Sequence, residues 1–142
     1  MFDFFQSKNI TCAFPRTTNT GLDFKEVTSL DQLDTLAFGI NEPNTALETI
    51  SPEWVLVPGI AFTKSGYRIG FGYGHFDRAL VHLPKSKFIA LAYQFQILEE
   101  EFHPDPWDIK MHGTIEDQAI ALVPSVVPPT IANAPPEVAL PT

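Results

Sequence analysis

Four glycines, two arginines and one aspartate fall within thirteen residues, Gly66-Tyr67-Arg68-Ile69-Gly70-Phe71-Gly72-Tyr73-Gly74-His75-Phe76-Asp77-Arg78. Alternating glycines leave backbone N–H groups open to close approach, and several such groups converging on one point make an anion cradle. Arg68 and Arg78 stand on either side to add charge. The spacing is not that of a Walker A loop, because no Gly-Lys-Ser/Thr follows, and Gly70-x-Gly72-x-Gly74 is not the dinucleotide fingerprint. Two readings stay open on the residues alone, a phosphate-binding loop and a structural glycine-rich turn. Asp77, near a predicted helix start, either complements the helix dipole or offers an oxygen ligand. Arg78 either completes the cradle or is a solvated surface residue.

Elements on both sides must hold that loop in place. Trp54 to Val57 is a compact apolar run closed by Pro58-Gly59 and reads as a strand buried on both faces; Lys87 to Tyr93 (KFIALAY) reads as a second. Trp54 and Phe62 are assigned to the core. Between the runs, His75 to Leu83 places Phe76, Leu80 and Leu83 at helical spacing. Strand, long loop, helix, strand describes an α/β crossover, right-handed if both strands share a sheet. The fold class is therefore α/β, a three-layer α/β/α arrangement with a mainly parallel sheet. Both runs are expected as central strands, with the glycine loop at their carboxyl edge, where open α/β sheets bind ligands.

Upstream, Phe2 to Gln6 reads as the tail of a helix and Ile10 to Phe14 as a strand stopped by Pro15. Ser29 is placed to cap a helix whose apolar face is Leu30, Leu33 and Leu36 or Ala37, ended by Gly39. Ile115 to Val123 is a strand or a helix. The chain divides into a domain over 1–123 and, from Pro124, an extended proline-rich tail over 124–142 expected to lie outside the core.

A length of 142 residues with 44% hydrophobic content, including 12 Phe and 2 Trp, supports one packed core rather than a disordered chain. Nine Lys plus Arg against 17 Asp plus Glu give a net charge of −8, which opposes general nucleic-acid binding, so any anion must be held locally. Cys12 is the sole cysteine, which removes intrachain disulfides and Cys-based zinc sites and fits a reducing, cytoplasmic setting. His75, His82, His103 and His112 show no paired metal-ligand spacing. The apolar start, Met1 to Phe5, is interrupted by Asp3 and preceded by no basic residue, unlike a signal peptide, and no run approaches the length of a membrane span.

Val57-Pro58-Gly59-Ile60-Ala61-Phe62 followed by the loop from Gly66 to Arg78 resembles the long signature of the 5-formyltetrahydrofolate cyclo-ligase (5,10-methenyltetrahydrofolate synthetase) family. Phe14-Pro15-Arg16 resembles that family's proline-arginine strand end, Gly39-Ile40-Asn41-Glu42-Pro43 its Glu-Pro segment, and Trp107-Asp108 with Met111 its carboxyl-terminal acidic segment. Glu42 is as readily a loop residue as a ligand. The resemblance runs over about residues 4 to 120. It implies conversion of 5-formyltetrahydrofolate and ATP to 5,10-methenyltetrahydrofolate, ADP and phosphate, with Mg²⁺ as cofactor. The formyl oxygen takes the γ-phosphoryl group, the ring nitrogen closes on the activated carbon, and phosphate leaves. On this resemblance Arg68, Gly70, Phe71, Gly72, Tyr73, Gly74, His75 and Phe76 line the ATP loop, Arg68 and Asp77 are the catalytic residues, and Asp77 and Asp108 are the magnesium carboxylates. Neither nucleic acid nor membrane is an implied partner.

The chain also departs from the family pattern. Family members carry further chain ahead of the Ile10 strand, with a lysine and an arginine for ATP phosphates and a glutamate for folate. The expectation is a chain lacking the first family elements, either a fragment of a longer chain or a short member whose missing first segment another chain supplies. His75 stands where tyrosine is favoured, Tyr73 where glycine or lysine is, and His112 where aspartate is usual. The alternative function is a non-catalytic relative that binds nucleotide, folate or a protein partner.

Overall fold

A computed structural model describes residues 1–72, 74–117 and 120–122. In chain order its elements are α1 (Phe2–Ser7), β1 (Ala13–Thr17), β2 (Leu22–Glu26), β3 (Leu33–Thr35), β4 (Asn41–Pro43), β5 (Trp54–Val57), β6 (Ala61–Thr63), β7 (Arg68–Ile69), α2 (His75–Leu80), β8 (Lys87–Leu91), β9 (Ile97–Leu98), β10 (Gly113–Ile115) and β11 (Ile120–Leu122). The fold is mixed α/β, and its largest sheet runs β11-β10-β8-β5. β5 and β10 both lie parallel to β8, with Val57 opposite Ala90 and Gly113 opposite Ile89, while β11 returns antiparallel to β10. Of the segment Ile115 to Val123, Ile120–Leu122 thus forms a strand, and the tail from Pro124 lies outside the described residues. Three smaller ladders, β1-β2, β3-β4 and β7-β6-β9, complete the framework.

The core lies where apolar periodicity placed it. Val55 and Val57 of β5, Phe62 of β6, Leu80 of α2, Phe88 and Ala90 of β8, and Met111 ahead of β10 form one buried cluster. α2 presents Ala79 and Leu80 to it, and the chain continues through Val81 in a turn rather than a further helical turn. Both faces of the sheet are covered at β8, so Phe88, Ile89 and Ala90 are buried in succession, and the strand stops at Leu91, two residues short of the expected Tyr93.

Four expectations are corrected. Trp54 is 63% exposed, and β5 is the last strand of its sheet, not a central one. A terminal strand has a neighbour on one side only, which leaves its first side chain uncovered. The first strand starts three residues later than Ile10 and passes through Pro15, paired with Phe24. In a two-stranded ladder half of the N–H groups have no ladder partner, and proline is tolerated there. Ser29 does cap a turn, accepting from the Asp31 N–H, but only a 3-10 turn over Leu30–Gln32 follows. Gln32 reaches back to the Thr28 and Ser29 N–H groups, at 2.8 and 3.1 Å, which closes a single turn. Leu33 is then extended and pairs with Pro43, so the ladder with β4 overrides helical propensity. Finally, Arg78 is buried and gives its Nε–H to the Thr20 carbonyl at 3.2 Å. It ties α2 to the loop before β2 and is not a solvated surface residue.

His112 acts on the sheet itself. Its Nδ1 accepts from the Phe88 N–H at 3.1 Å, and the two rings meet edge-on. Burial and the nearby Lys87 hold its pKa below the ordinary 6.5. The folded state therefore disfavours the imidazolium, so the contribution is present above the unfolded value and is lost as pH falls through it. Melting temperature is expected to drop between about pH 7.5 and 5, and His112→Gln, which still offers an acceptor to Phe88, is expected to drop less. Equal slopes would remove this role.

Candidate functional site

The start of the glycine loop is pinned by its hairpin. β6 and β7 form a hairpin in which Thr63 N–H donates to the Tyr67 carbonyl at 2.8 Å, and Gly66 accepts from the Met111 N–H at 2.7 Å. That hairpin lays Arg68 across the carboxyl end of β5. Its Nη1 donates to the Pro58 carbonyl at 3.4 Å, its Nη2 approaches Asp77 Oδ2 at 3.3 Å, and its guanidinium lies 5.3 Å from the centre of the Phe76 ring. The Arg68 and Asp77 side chains are only 9% and 18% exposed. The pair is thus partly desolvated, with a cation–π contact on one face of the arginine.

Glycine is required at two places here. A Cβ on Gly70 would sit 2.5 Å from Arg68 Nη1, so any side chain there displaces the guanidinium. Gly72 has φ +90, a conformation other residues rarely adopt, and open space where its side chain would be. Gly74 precedes α2 with φ 67 and a left-handed backbone. Tyr73 lies outside the described residues, and Phe71 is exposed.

Asp108, between β9 and β10, lies near enough to feel the charges of Asp77 and Arg68. Its Oδ2 accepts from the Asp105 N–H at 2.7 Å. Burial first, and then the negative charge of Asp77, push its pKa above the ordinary carboxylate range, while Arg68 pulls it back. Of the expected residues, then, Arg68, Phe76, Asp77 and Gly70 come together, and Asp108 shares their electrostatic field. His75 begins α2; burial and Arg78 lower its pKa and Glu42 raises it, which puts the Glu-Pro segment against the start of the helix.

Glu42 itself is engaged. Its two oxygens accept from the Thr17 N–H at 3.1 Å and from Thr17 Oγ1 at 2.6 Å, and Arg16 donates through Nη1 to the Pro43 carbonyl at 3.0 Å. The proline-arginine and Glu-Pro segments, 26 residues apart between Arg16 and Glu42, are thereby one structural unit. The Pro58 carbonyl is a contact the sequence did not flag, since a backbone acceptor leaves no mark in residue type.

The cradle suits an anion by its unspent donors. Arg68 Nε is buried and has no hydrogen-bond partner among the described residues. A buried guanidinium nitrogen without an acceptor is costly, and an incoming phosphate oxygen would satisfy it. Asp77 and Asp108 offer carboxylate oxygens, the donor type of hard cations. Among the described residues no group of three or more His, Cys, Asp or Glu forms a metal site, so any cation here needs ligand oxygens beyond the protein's own. No helix among them is long and apolar enough to cross a membrane.

Fold and site together define an α/β domain with a glycine loop and an arginine–aspartate pair at the carboxyl edge of a mainly parallel sheet. The model of the 5-formyltetrahydrofolate cyclo-ligase family matches residues 3–116, and the chain belongs to that family. It is similar to 5-formyltetrahydrofolate cyclo-ligase of Mycoplasma pneumoniae, 32% identical over 118 residues that cover 82% of this chain and 62% of that protein. With the Mycoplasma genitalium protein of the same description it shares 33% identity over 110 residues, covering 77% of this chain and 57% of the relative. The solution structure of Aquifex aeolicus 5,10-methenyltetrahydrofolate synthetase superposes with a TM-score of 0.70 at 31% identity, over 87% of this chain and 65% of that one. The chain thus spans about three-fifths of the length of these curated relatives.

Proposed function

We propose that the chain takes part in ATP- and Mg²⁺-dependent cyclisation of 5-formyltetrahydrofolate to 5,10-methenyltetrahydrofolate, in the reducing cytoplasmic setting that a lone cysteine fits. The observation that carries this is Arg68, held over the carboxyl end of β5 between Phe76 and Asp77 with a buried Nε–H unspent. In such a phosphoryl transfer the protein positions groups and stabilises charge. Arg68 offers its free N–H to the transferring phosphoryl oxygens. The amides of Gly70, Gly72 and Gly74, with the flanking Phe71, Tyr73, His75 and Phe76, border the triphosphate. Asp77 and Asp108 would hold Mg²⁺, which when bound neutralises phosphate charge.

The second reading, a non-catalytic relative that binds nucleotide, folate or a protein partner, draws on His112, whose Nδ1 is committed to the β8 backbone and supplies no carboxylate. One assay separates the two. Absorbance of methenyltetrahydrofolate is followed from 5-formyltetrahydrofolate, ATP and Mg²⁺, with and without the part of the Mycoplasma pneumoniae relative that this chain does not cover. Turnover that rises on complementation, and that Asp77→Asn abolishes together with its metal dependence, is the expected result. No turnover in either case rejects the catalytic reading.

A further inference from the structure

The turn Tyr93-Gln94-Phe95-Gln96 after β8 is built to a degree its exposure does not explain. Tyr93 N–H donates to Gln96 Oε1 at 2.9 Å and Gln96 N–H returns to the Tyr93 carbonyl at 2.9 Å. Gln94 N–H donates to Asp117 Oδ1 at 3.0 Å. Gln96 Nε2 spans the Gly59 and Ile60 carbonyls, each at 3.0 Å. The turn so fixed carries two aromatic rings stacked in parallel, centroids 5.6 Å apart and planes 6° apart, on residues 60% and 82% exposed. Leaving such rings in water forfeits their burial, and rigid exposed aromatics mark places where a partner is met.

Their placement names the partner. The turn leaves the carboxyl end of β8, the edge that also carries the glycine loop. Gln96 holds Ile60, and Ile60 N–H donates to the Ile69 carbonyl at 2.7 Å, one residue before Gly70. A short run of backbone contacts thus joins the stack to the start of the cradle. We propose that the Tyr93–Phe95 stack seats the planar base of the nucleotide whose phosphates the glycine loop takes. The proposal rests on the nucleotide reading above. A parallel pair extends naturally by one more flat ring, and stacking on aromatic faces accepts a base without reading its edge. One other occupant fits less well: a second copy of the chain would bring together two chains of net charge −8.

Calorimetric titration of the parent chain, Phe95→Ala and Phe95→Trp with MgATP, magnesium tripolyphosphate and 5-formyltetrahydrofolate, with sedimentation of each, tests this. Phe95→Ala is expected to bind ATP about tenfold more weakly, the usual scale for removing an aromatic partner from a base, with tripolyphosphate affinity unchanged and ATP affinity restored by Phe95→Trp. ATP binding indifferent to Phe95 overturns the stack alone, and so does a loss confined to 5-formyltetrahydrofolate or a self-association of the parent that Phe95→Ala abolishes. A parent that binds neither ATP nor tripolyphosphate overturns the nucleotide reading of the loop, and the stack proposal falls with it.

Discussion

Arg68→Ala is expected to erase the rise in melting temperature that MgATP gives the parent chain, and to lower the ligand-free melting temperature as well. The first effect follows from linkage: a ligand at a hundredfold its Kd stabilises by about 2.7 kcal/mol, and that shift disappears with the affinity. The second comes from the partner left behind. Asp77 is largely covered, and stripping one member from a buried pair costs about 3 to 5 kcal/mol, an upper bound here because Asp77 keeps some solvent contact. Asp77→Asn added to Arg68→Ala removes the stranded charge, so the double variant should regain ligand-free stability and still show no MgATP shift. That pattern separates a binding role from a packing role. Gly72→Val should also lose the shift, since φ +90 is strained for valine although its side chain would enter open space. A full MgATP shift in Arg68→Ala and Gly72→Val would end the phosphate assignment.

Much of this site was legible because it is local. The glycine spacing places Gly70 beside Arg68, and the apolar runs of β5 and β8 bracket the loop, all within residues 54 to 91. The proline-arginine and Glu-Pro segments were also visible as separate stretches. That they clamp one another through Thr17 and Glu42 depends on the β1 and β4 ladders, whose pairing no residue type announces. Arg78 shows the same limit. Its neighbour Asp77 faces the site, yet one step along α2 turns Arg78 by about 100° toward Thr20, and only the packed loop there decides that it is buried. Phe95 carries no signal of its own in the sequence, where it closely follows a buried strand. Its exposure arises from the turn that Gln96 fixes to Gly59 and Ile60, a contact across 36 residues or more.

Phe88→Ala and Trp54→Ala should differ sharply in stability, although sequence alone assigns Trp54 to the core and places Phe88 in a strand buried on both faces. Phe88 is fully buried on the central strand β8 among residues of β5, α2 and the Met111 segment. Truncation there removes the ring's transfer energy and opens a cavity, for about 3 to 5 kcal/mol. Domains of this kind have about 5 to 15 kcal/mol in total, so the variant would stand near its unfolding limit. The loss has a second component, since the Phe88 N–H is the donor to His112 and depends on β8 holding its register. Trp54 lies at the start of the terminal strand with most of its surface in water, so its truncation should cost under about 1 kcal/mol. Urea unfolding at neutral pH measures both. The midpoint of Phe88→Ala should fall by about a fifth of the parent's value or more, while Trp54→Ala stays close to it. A Trp54→Ala loss equal to that of Phe88→Ala would mean that β5 has a covering neighbour in solution and is not the edge of its sheet.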